Sequence, residues 1–570
     1  MTSFLKFSVS AAILMTISSC STPPGTPRLP GSPADEAAKF IAEHESTVRP
    51  LEITLSRAWW NANVSGKAED FQAKEEAQNK LDAVLSDPVR FGRLKAVRAA
   101  LASAAEKPDA IIARQIELLY LQYLEKQVDP ELLRKMAAKS NAVEKAFNAY
   151  RAKVDGKEMT DSEVRKVLKE SKDSSRCKAV WEASKGVGPI VEADLKELVK
   201  LRNEAARKLG YKNFHALQLS LGEQSQEGVL KLFDELDALI REPFRAAKAE
   251  IDAKLAKDFG IPVEDLRPWH YQDPFFQESP AIYSADLDSL YAKQDILKLS
   301  REFYAGIGLD VEGVIARSDL YEKPGKSPHA FSTDIDREGD VRVLVNIVPN
   351  EYWMGTMLHE LGHSVYSSIN MPSSLPYVLR TEAHSLCTEG IAMFFEKLSK
   401  SADWLEKMGV PVPDRDAVAR TGAKMLRNHL LIFAAWCQVM VRFEVALYDD
   451  PDQDLTKLWW DLVEKYQMLH RPEGRNAPDY AAKIHIVVAP AYYHNYLMGQ
   501  LFASQVHHAV ARDALKTDPG KALYNGRKEV GDFLKTKIFA LGRTLSWNAL
   551  AKHATGEELN ARAFAADFKE

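Results

Sequence analysis

A chain of 570 residues, 46% hydrophobic and 27% charged, has the make-up of a soluble globular protein. Its formal charge of -5 leaves no basic excess for nucleic acid and no acidic tail. Four cysteines (Cys20, Cys177, Cys387 and Cys437) are too few for a disulfide scaffold.

At the N-terminus, Lys6 precedes an apolar stretch, Phe7 to Ile17, that is too short to span a bilayer and fits the core of a secretory signal over residues 1–19. It ends Ile17-Ser18-Ser19-Cys20, which resembles a bacterial lipobox, where cleavage leaves a cysteine that is then lipidated. Cys20 is the expected lipidation site, and several acyl chains on it would anchor the chain stably. Ser21 is a neutral neighbour that permits passage to the outer membrane. The expected location is the periplasmic side of a bacterial envelope, with the lipid as the only membrane contact. An ordinary signal peptide with an incidental cysteine is the alternative. With Cys20 engaged, at most one disulfide can form among the other three cysteines.

Residues 20–34, the cysteine and a Pro-rich spacer, cannot pack a core and would hold the rest of the chain off the membrane. Residues 35–570 read as one large, overwhelmingly helical unit. Apolar residues recur three and four apart, as in Asp194-Leu-Lys-Glu-Leu-Val-Lys-Leu-Arg202, with no repeat of fixed period. Val341 to Ile347 breaks the pattern: it is β-branched and alternating, and predicts a strand after a hairpin turn over Thr333 to Asp340. Asn350 is placed to cap the next helix.

That helix contains Met357-Leu-His-Glu-Leu-Gly-His-Ser-Val-Tyr366. His359 and His363 are four apart, so both imidazoles leave one face and can grip one ion. Glu360, beside the first ligand, can act as general base on a water that the metal activates. A strand leading into such a helix suits a peptidase, because a sheet edge binds extended peptide through its backbone. Catalytic zinc needs a third protein ligand. Arg380 to Glu396 reads as a second amphipathic helix, on which Glu382, Glu389 and Glu396 fall seven apart on one face, so periodicity does not choose among them. His384 and Cys387 are further candidates, better suited to core or supporting roles.

The sequence resembles the angiotensin-converting-enzyme family of zinc peptidyl-dipeptidases, in its bacterial envelope branch. The resemblance is weak at Ala58-Trp-Trp-Asn-Ala-Asn-Val-Ser65, clearer at Leu201 to Tyr211 and strongest from Pro268 to Ala509. The family's third ligand is a Glu followed by a small residue and Ile, which selects Glu389 (Glu389-Gly390-Ile391). The resemblance also assigns His329-Ala330 to a substrate-binding strand. Lys483 and Tyr493 become carboxylate anchors, with Gln277 a further one across a one-residue gap. His485 and Tyr496 become donors to the reaction's oxyanion. Three departures stand out: Met393 replaces a supporting Asp, while Val463 and Asn495 replace the arginines that bind chloride in the animal enzymes.

The resemblance implies a mainly α, two-lobed helical metallopeptidase with a deep central cleft and a small β element beside the zinc helix. It would hold one catalytic Zn2+ and release C-terminal dipeptides from short peptides. The helical segment from Asp35 to about Lys126 would lid the cleft. A thimet-type oligoendopeptidase with the same chemistry in another register is the near rival. A non-catalytic peptide-binding envelope lipoprotein is the rival of a different class.

Overall fold

The computed structural model describes residues 31–283 and 286–568, and Cys20, the signal and nearly all of the spacer lie outside them. Folded structure begins slightly earlier than expected, because Ser32 caps the first helix with Pro33 at its first position, where the missing N–H costs nothing. The chain is mainly α-helical, with two two-stranded sheets among the described residues.

Four helices open it: α1 (Pro33–Ser65), α2 (Ala68–Leu85), α3 (Pro88–Ala102) and α4 (Ala110–Glu125). Asp87 and Asp109 cap α3 and α4 by accepting from the backbone N–H groups two and three residues on. Phe40, Leu81, Leu94, Leu119 and Tyr123 give these helices a hydrophobic core of their own, which reaches the rest of the protein at Val378 and Leu379. The larger core runs from Val143 to Ala565. Through it passes α8 (Arg415–Asp449), whose apolar stretch is long enough to cross a bilayer but is mostly buried inside the fold.

The first sheet, β1 (Ala152–Val154) paired with β2 (Lys157–Met159), is not among the sequence expectations. Its signal is nonetheless local: Asp155-Gly156 between the strands both take positive φ (52° and 77°), the two-residue turn that matches strand twist. A helix over Asp161–Glu170 and then α5 (Ser174–Ser184) follow it.

The expected strand is β4 (Val341–Leu344), antiparallel to β3 (Phe331–Asp334). Its pairing corrects two expectations. The turn is shorter than Thr333 to Asp340, because Thr333 and Asp334 pair in the ladder with Arg342 and Val341. Val345 and Ile347 lie outside the strand, their N–H groups donating to the carbonyls of Asp319 and Leu320.

Helix α6 (Glu351–Val365) starts where expected, with the Asn350 side chain accepting from the Trp353 N–H at 2.9 Å. Met354, Met357, Leu358, Leu361 and Val365 bury its core face. The second predicted helix is shorter than its pattern: α7 covers Ser385–Glu396, and His384 is its N-cap, with Nδ1 accepting from the Leu386 N–H. Glu382 therefore precedes the helix and does not share a face with Glu389 and Glu396. Finally, α9 (Tyr493–Ala509) packs along α7. Cys177, Cys387 and Cys437 are buried and free.

Candidate metal centre and substrate cavities

Three helices meet more closely than side chains normally allow. A Cβ at Gly362 of α6 would stand 2.7 Å from the Ala392 Cα of α7. One at Gly390 of α7 would stand 2.7 Å from the Gly499 carbonyl oxygen of α9. Such contacts are below van der Waals distance, so glycine at these places sets the spacing of the site. It also explains why the residue after Glu389 must be small.

The approach brings His359, His363 and Glu389 together, with one ligand atom from each within 4.8 Å of the others. The two Nε2 atoms face each other at 3.1 Å, and Glu389 Oε2 lies 3.7 and 3.9 Å from them. A tetrahedral zinc with metal–nitrogen distances near 2.0–2.1 Å would hold two nitrogens about 3.3 Å apart. The trio therefore fits zinc with only a small inward movement of Glu389.

Both outer nitrogens are already engaged. His359 Nδ1 lies 2.8 Å from Glu396 Oε2, and His363 Nδ1 lies 2.7 Å from Thr388 Oγ1. Such bonds fix the ring so that Nε2 points at the metal. Glu389, Met393 and Glu396 form one stripe along α7. Methionine stands where the resemblance places a supporting Asp, and the carboxylate one turn later fills that role. Burial would raise the Glu396 carboxyl, but its bond to His359 and the nearby Lys400 and His429 hold it down to about 2. Burial would lower the His359 imidazole, yet Glu396, Glu360 and Glu389 push it up to about 9. The carboxylates thus favour a positive charge on the histidine pair, a charge that a proton on His359 can supply.

Glu360 is buried, and burial pushes its carboxyl up to about 7, with His359 opposing and Glu389 and Glu396 adding to the rise. A carboxylic acid poised near neutrality can both accept and return a proton.

These residues line a cavity of about 770 Å³. Its opposite wall is Ala330 with β3, tied to α6 by Ser332 Oγ 2.9 Å from Ser364 Oγ. Strand β3 pairs on one side with β4, and among the described residues no further strand covers its other edge. Tyr496 closes the cavity from α9. His329 and Ala330 both lie just before the strand and not on it, and of the pair only Ala330 lines this cavity, His329 being exposed. Glu382, one of the three candidate ligands, also stands on the cavity wall, as does Arg337, for which the sequence gives no signal.

A second cavity, of about 380 Å³, collects Lys483, His485 and Gln277. Lys483 Nζ donates to Gln277 Oε1 at 2.5 Å. His485 lines this cavity and Tyr496 the first, so the expected pair is spread over two neighbouring cavities. Tyr493 stands between them, its ring 5.5 Å from that of His485 and 5.6 Å from that of Tyr496. The Trp436 indole N–H donates to the Tyr493 hydroxyl at 2.9 Å, which leaves the Tyr493 O–H to donate elsewhere.

The N-terminal helices reach the same region. The Trp59 ring of α1 lies 4.2 Å from that of Phe331, and the Tyr377 hydroxyl donates to Glu52 at 2.9 Å. Arg337, in the turn after β3, pairs with Glu52 at 3.2 Å, and Arg49 pairs with Glu338.

A profile of the family described as "Angiotensin-converting enzyme" matches residues 32–262 and 270–570. An angiotensin-converting enzyme of Theromyzon tessulatum is 22% identical over 442 residues, which cover 72% of this chain and 71% of that protein.

Proposed function

We propose, from the premise that this chain belongs to the angiotensin-converting enzyme family, that it releases dipeptides from the C-termini of short peptides. The family is zinc-dependent, and the chain is a zinc metallopeptidase. Zinc held by His359, His363 and Glu389 would polarise the scissile carbonyl and make a water acidic.

The remaining work falls to this chain's own groups. Edge strand β3 would hold the peptide backbone in extended form beside α6. Glu360 takes a proton from the attacking water and delivers it to the leaving amine. The Tyr496 O–H donates to the carbonyl oxygen as charge develops on it, an interaction stronger in the transition state than before it. Lys483, Gln277 and the Tyr493 O–H would hold the substrate's terminal carboxylate. His485, placed with Lys483, would contact the last residue of the substrate.

One observation carries the exopeptidase reading. The ammonium of Lys483 is buried and, among the described residues, hydrogen-bonded only to a neutral amide, in a cavity other than the one the candidate metal ligands line. A buried cation so placed is matched by a peptide's terminal carboxylate. Comparing a short peptide with a free C-terminus and its amide tests this. Amidation is expected to lower kcat/KM by about 10- to 100-fold, the worth of a hydrogen-bonded charge. Equal rates, with internal cuts, would establish the oligoendopeptidase register instead.

The envelope location rests on the lipobox alone. A lipid-modified N-terminal peptide starting at Cys20, found by mass spectrometry of the cell-derived protein, is the expected result; an unmodified mature N-terminus would refute it.

A further inference from the structure

The two tyrosines on the first turn of α9 are held differently. The Tyr493 hydroxyl is tied to the Trp436 indole, but among the described residues no hydrogen bond holds that of Tyr496. The Tyr496 ring lies against those of Tyr492 and Tyr493, at 5.2 and 5.6 Å, so its hydroxyl goes where the turn carries it. That turn has no side-chain cap, since Tyr492, at the N-cap position, makes no such bond.

A grip from outside the helix replaces the cap. Gln224 Oε1 lies 2.7 Å from His494 Nε2, and Gln224 Nε2 donates to Asn495 Oδ1 at 3.0 Å. His494 and Asn495 directly precede Tyr496, and both are buried. Burial, with His215 and His384 nearby, holds the His494 imidazole well below its ordinary value, so the ring is neutral and its Nε2–H donates to Gln224. Successive helical residues leave the axis about 100° apart, so one amide gripping two neighbours opposes rotation as well as sliding. The close contact of Gly390 with the Gly499 carbonyl fixes how near α9 comes to α7 one turn later. A single backbone contact does not fix rotation about it.

Gln224 is itself immobilised. It follows the helix over Phe214–Leu221, and its N–H donates to the Leu219 carbonyl at 2.8 Å. Glu223, before it, takes a left-handed φ of 56°. The Glu223 carboxylate accepts from Arg114 of α4 at 2.9 Å, and its carbonyl accepts from the Trp547 indole at 3.1 Å. Gln224 lines a third cavity, of about 530 Å³, and neither the metal cavity nor the second one. What it contributes to the reaction therefore passes through α9.

We propose that Gln224 is a positioning residue: its amide sets the rotation of the first turn of α9 and so holds the Tyr496 hydroxyl where charge develops on the scissile carbonyl. The inference rests on the oxyanion role of Tyr496 in the proposed reaction. A donor of this kind must meet the oxyanion closely, and a misplacement of about 1 Å can cost about 100-fold.

The test measures kcat, KM and zinc content for the wild type, Gln224→Met, Tyr496→Phe and the double variant, on a short peptide with a free C-terminus. Gln224→Met keeps the length of the side chain and loses both hydrogen bonds. It is expected to lower kcat by about 10- to 100-fold, with KM and zinc content near those of the wild type. Made in Tyr496→Phe, the same substitution should change kcat by less than about twofold, the scatter of sites that do not interact. If Gln224→Met does not fold, Asn495→Ala removes one of the two bonds and enters the same cycle, with a smaller drop expected. Equal losses in the two backgrounds overturn the inference, and so does a loss of kcat that tracks a loss of zinc. A slow Tyr496→Phe beside a fully active Gln224→Met overturns it too, while leaving the oxyanion role of Tyr496 standing. A fully active Tyr496→Phe would remove that role and the inference together.

Discussion

Replacing Glu360 by Gln is expected to lower kcat/KM by about 10³-fold, within the range a positioned general base supplies, while zinc content stays that of the wild type. The amide keeps the shape of the side chain but cannot accept the water's proton. Metal should be retained because Glu360 is not one of the three groups whose ligand atoms converge. The stability of the metal-free protein gives a second readout, and its sign is fixed. The Glu360 carboxyl is raised above its ordinary value by burial, to about 7. An acid so raised destabilises the fold once pH exceeds its unfolded value, and most fully above 7. The neutral amide removes that cost. Metal-free Glu360→Gln should therefore melt no lower than the wild type at pH 8. A variant that retains activity within tenfold, or loses its zinc, would show that Glu360 is not the base.

The second large effect is loss of the metal on replacing Glu389 by Ala. Three carboxylates surround the histidine pair, and geometry assigns them different tasks. Glu389 Oε2 points at both Nε2 atoms, Glu396 binds the outer nitrogen of His359, and Glu382 lies on the cavity wall before α7 begins. In chelator competition, Glu396→Gln should weaken zinc by about 10- to 100-fold, as loss of a ligand's supporting bond does. Glu389→Ala should weaken it by more than that and abolish peptide cleavage. Glu382→Ala should keep its zinc. If Glu382→Ala loses metal and Glu389→Ala does not, the third ligand has been misassigned.

The parts of this protein legible in its sequence are those written at short range. Two histidines four apart announce a shared helical face, and Asn350 announces the start of that helix. Val341 to Ile347 announces a strand by alternation, of which Val341–Leu344 forms one. Spacing alone leaves open the choice among Glu382, Glu389 and Glu396, because an apolar pattern runs through Arg380 to Glu396 while the helix starts only at Ser385. The break comes from His384 capping the helix with its ring, a role few sequence rules give to histidine. The link from His359 to Glu396 spans 37 residues, and no local pattern reports it. Met393 reads as a missing support until the next turn of α7 supplies one. The hairpin at Asp155-Gly156 is the opposite case, since its turn signature is local and plain within an otherwise helical stretch.

The contacts at Gly362, Gly390 and Gly499 have a mechanical consequence. Helices touching backbone to backbone have no side-chain layer to absorb sliding, so α6, α7 and α9 should move as one stiff body. The ligands, Glu360 and Tyr496 then keep their mutual distances whatever else shifts. Any breathing that admits a peptide has to be taken up elsewhere. Where α1 meets the turn after β3, the joint includes the pairs of Arg337 with Glu52 and Arg49 with Glu338, which ions in solution can weaken. Rigidity is thus confined to the chemistry, and compliance is left to the wall that faces it.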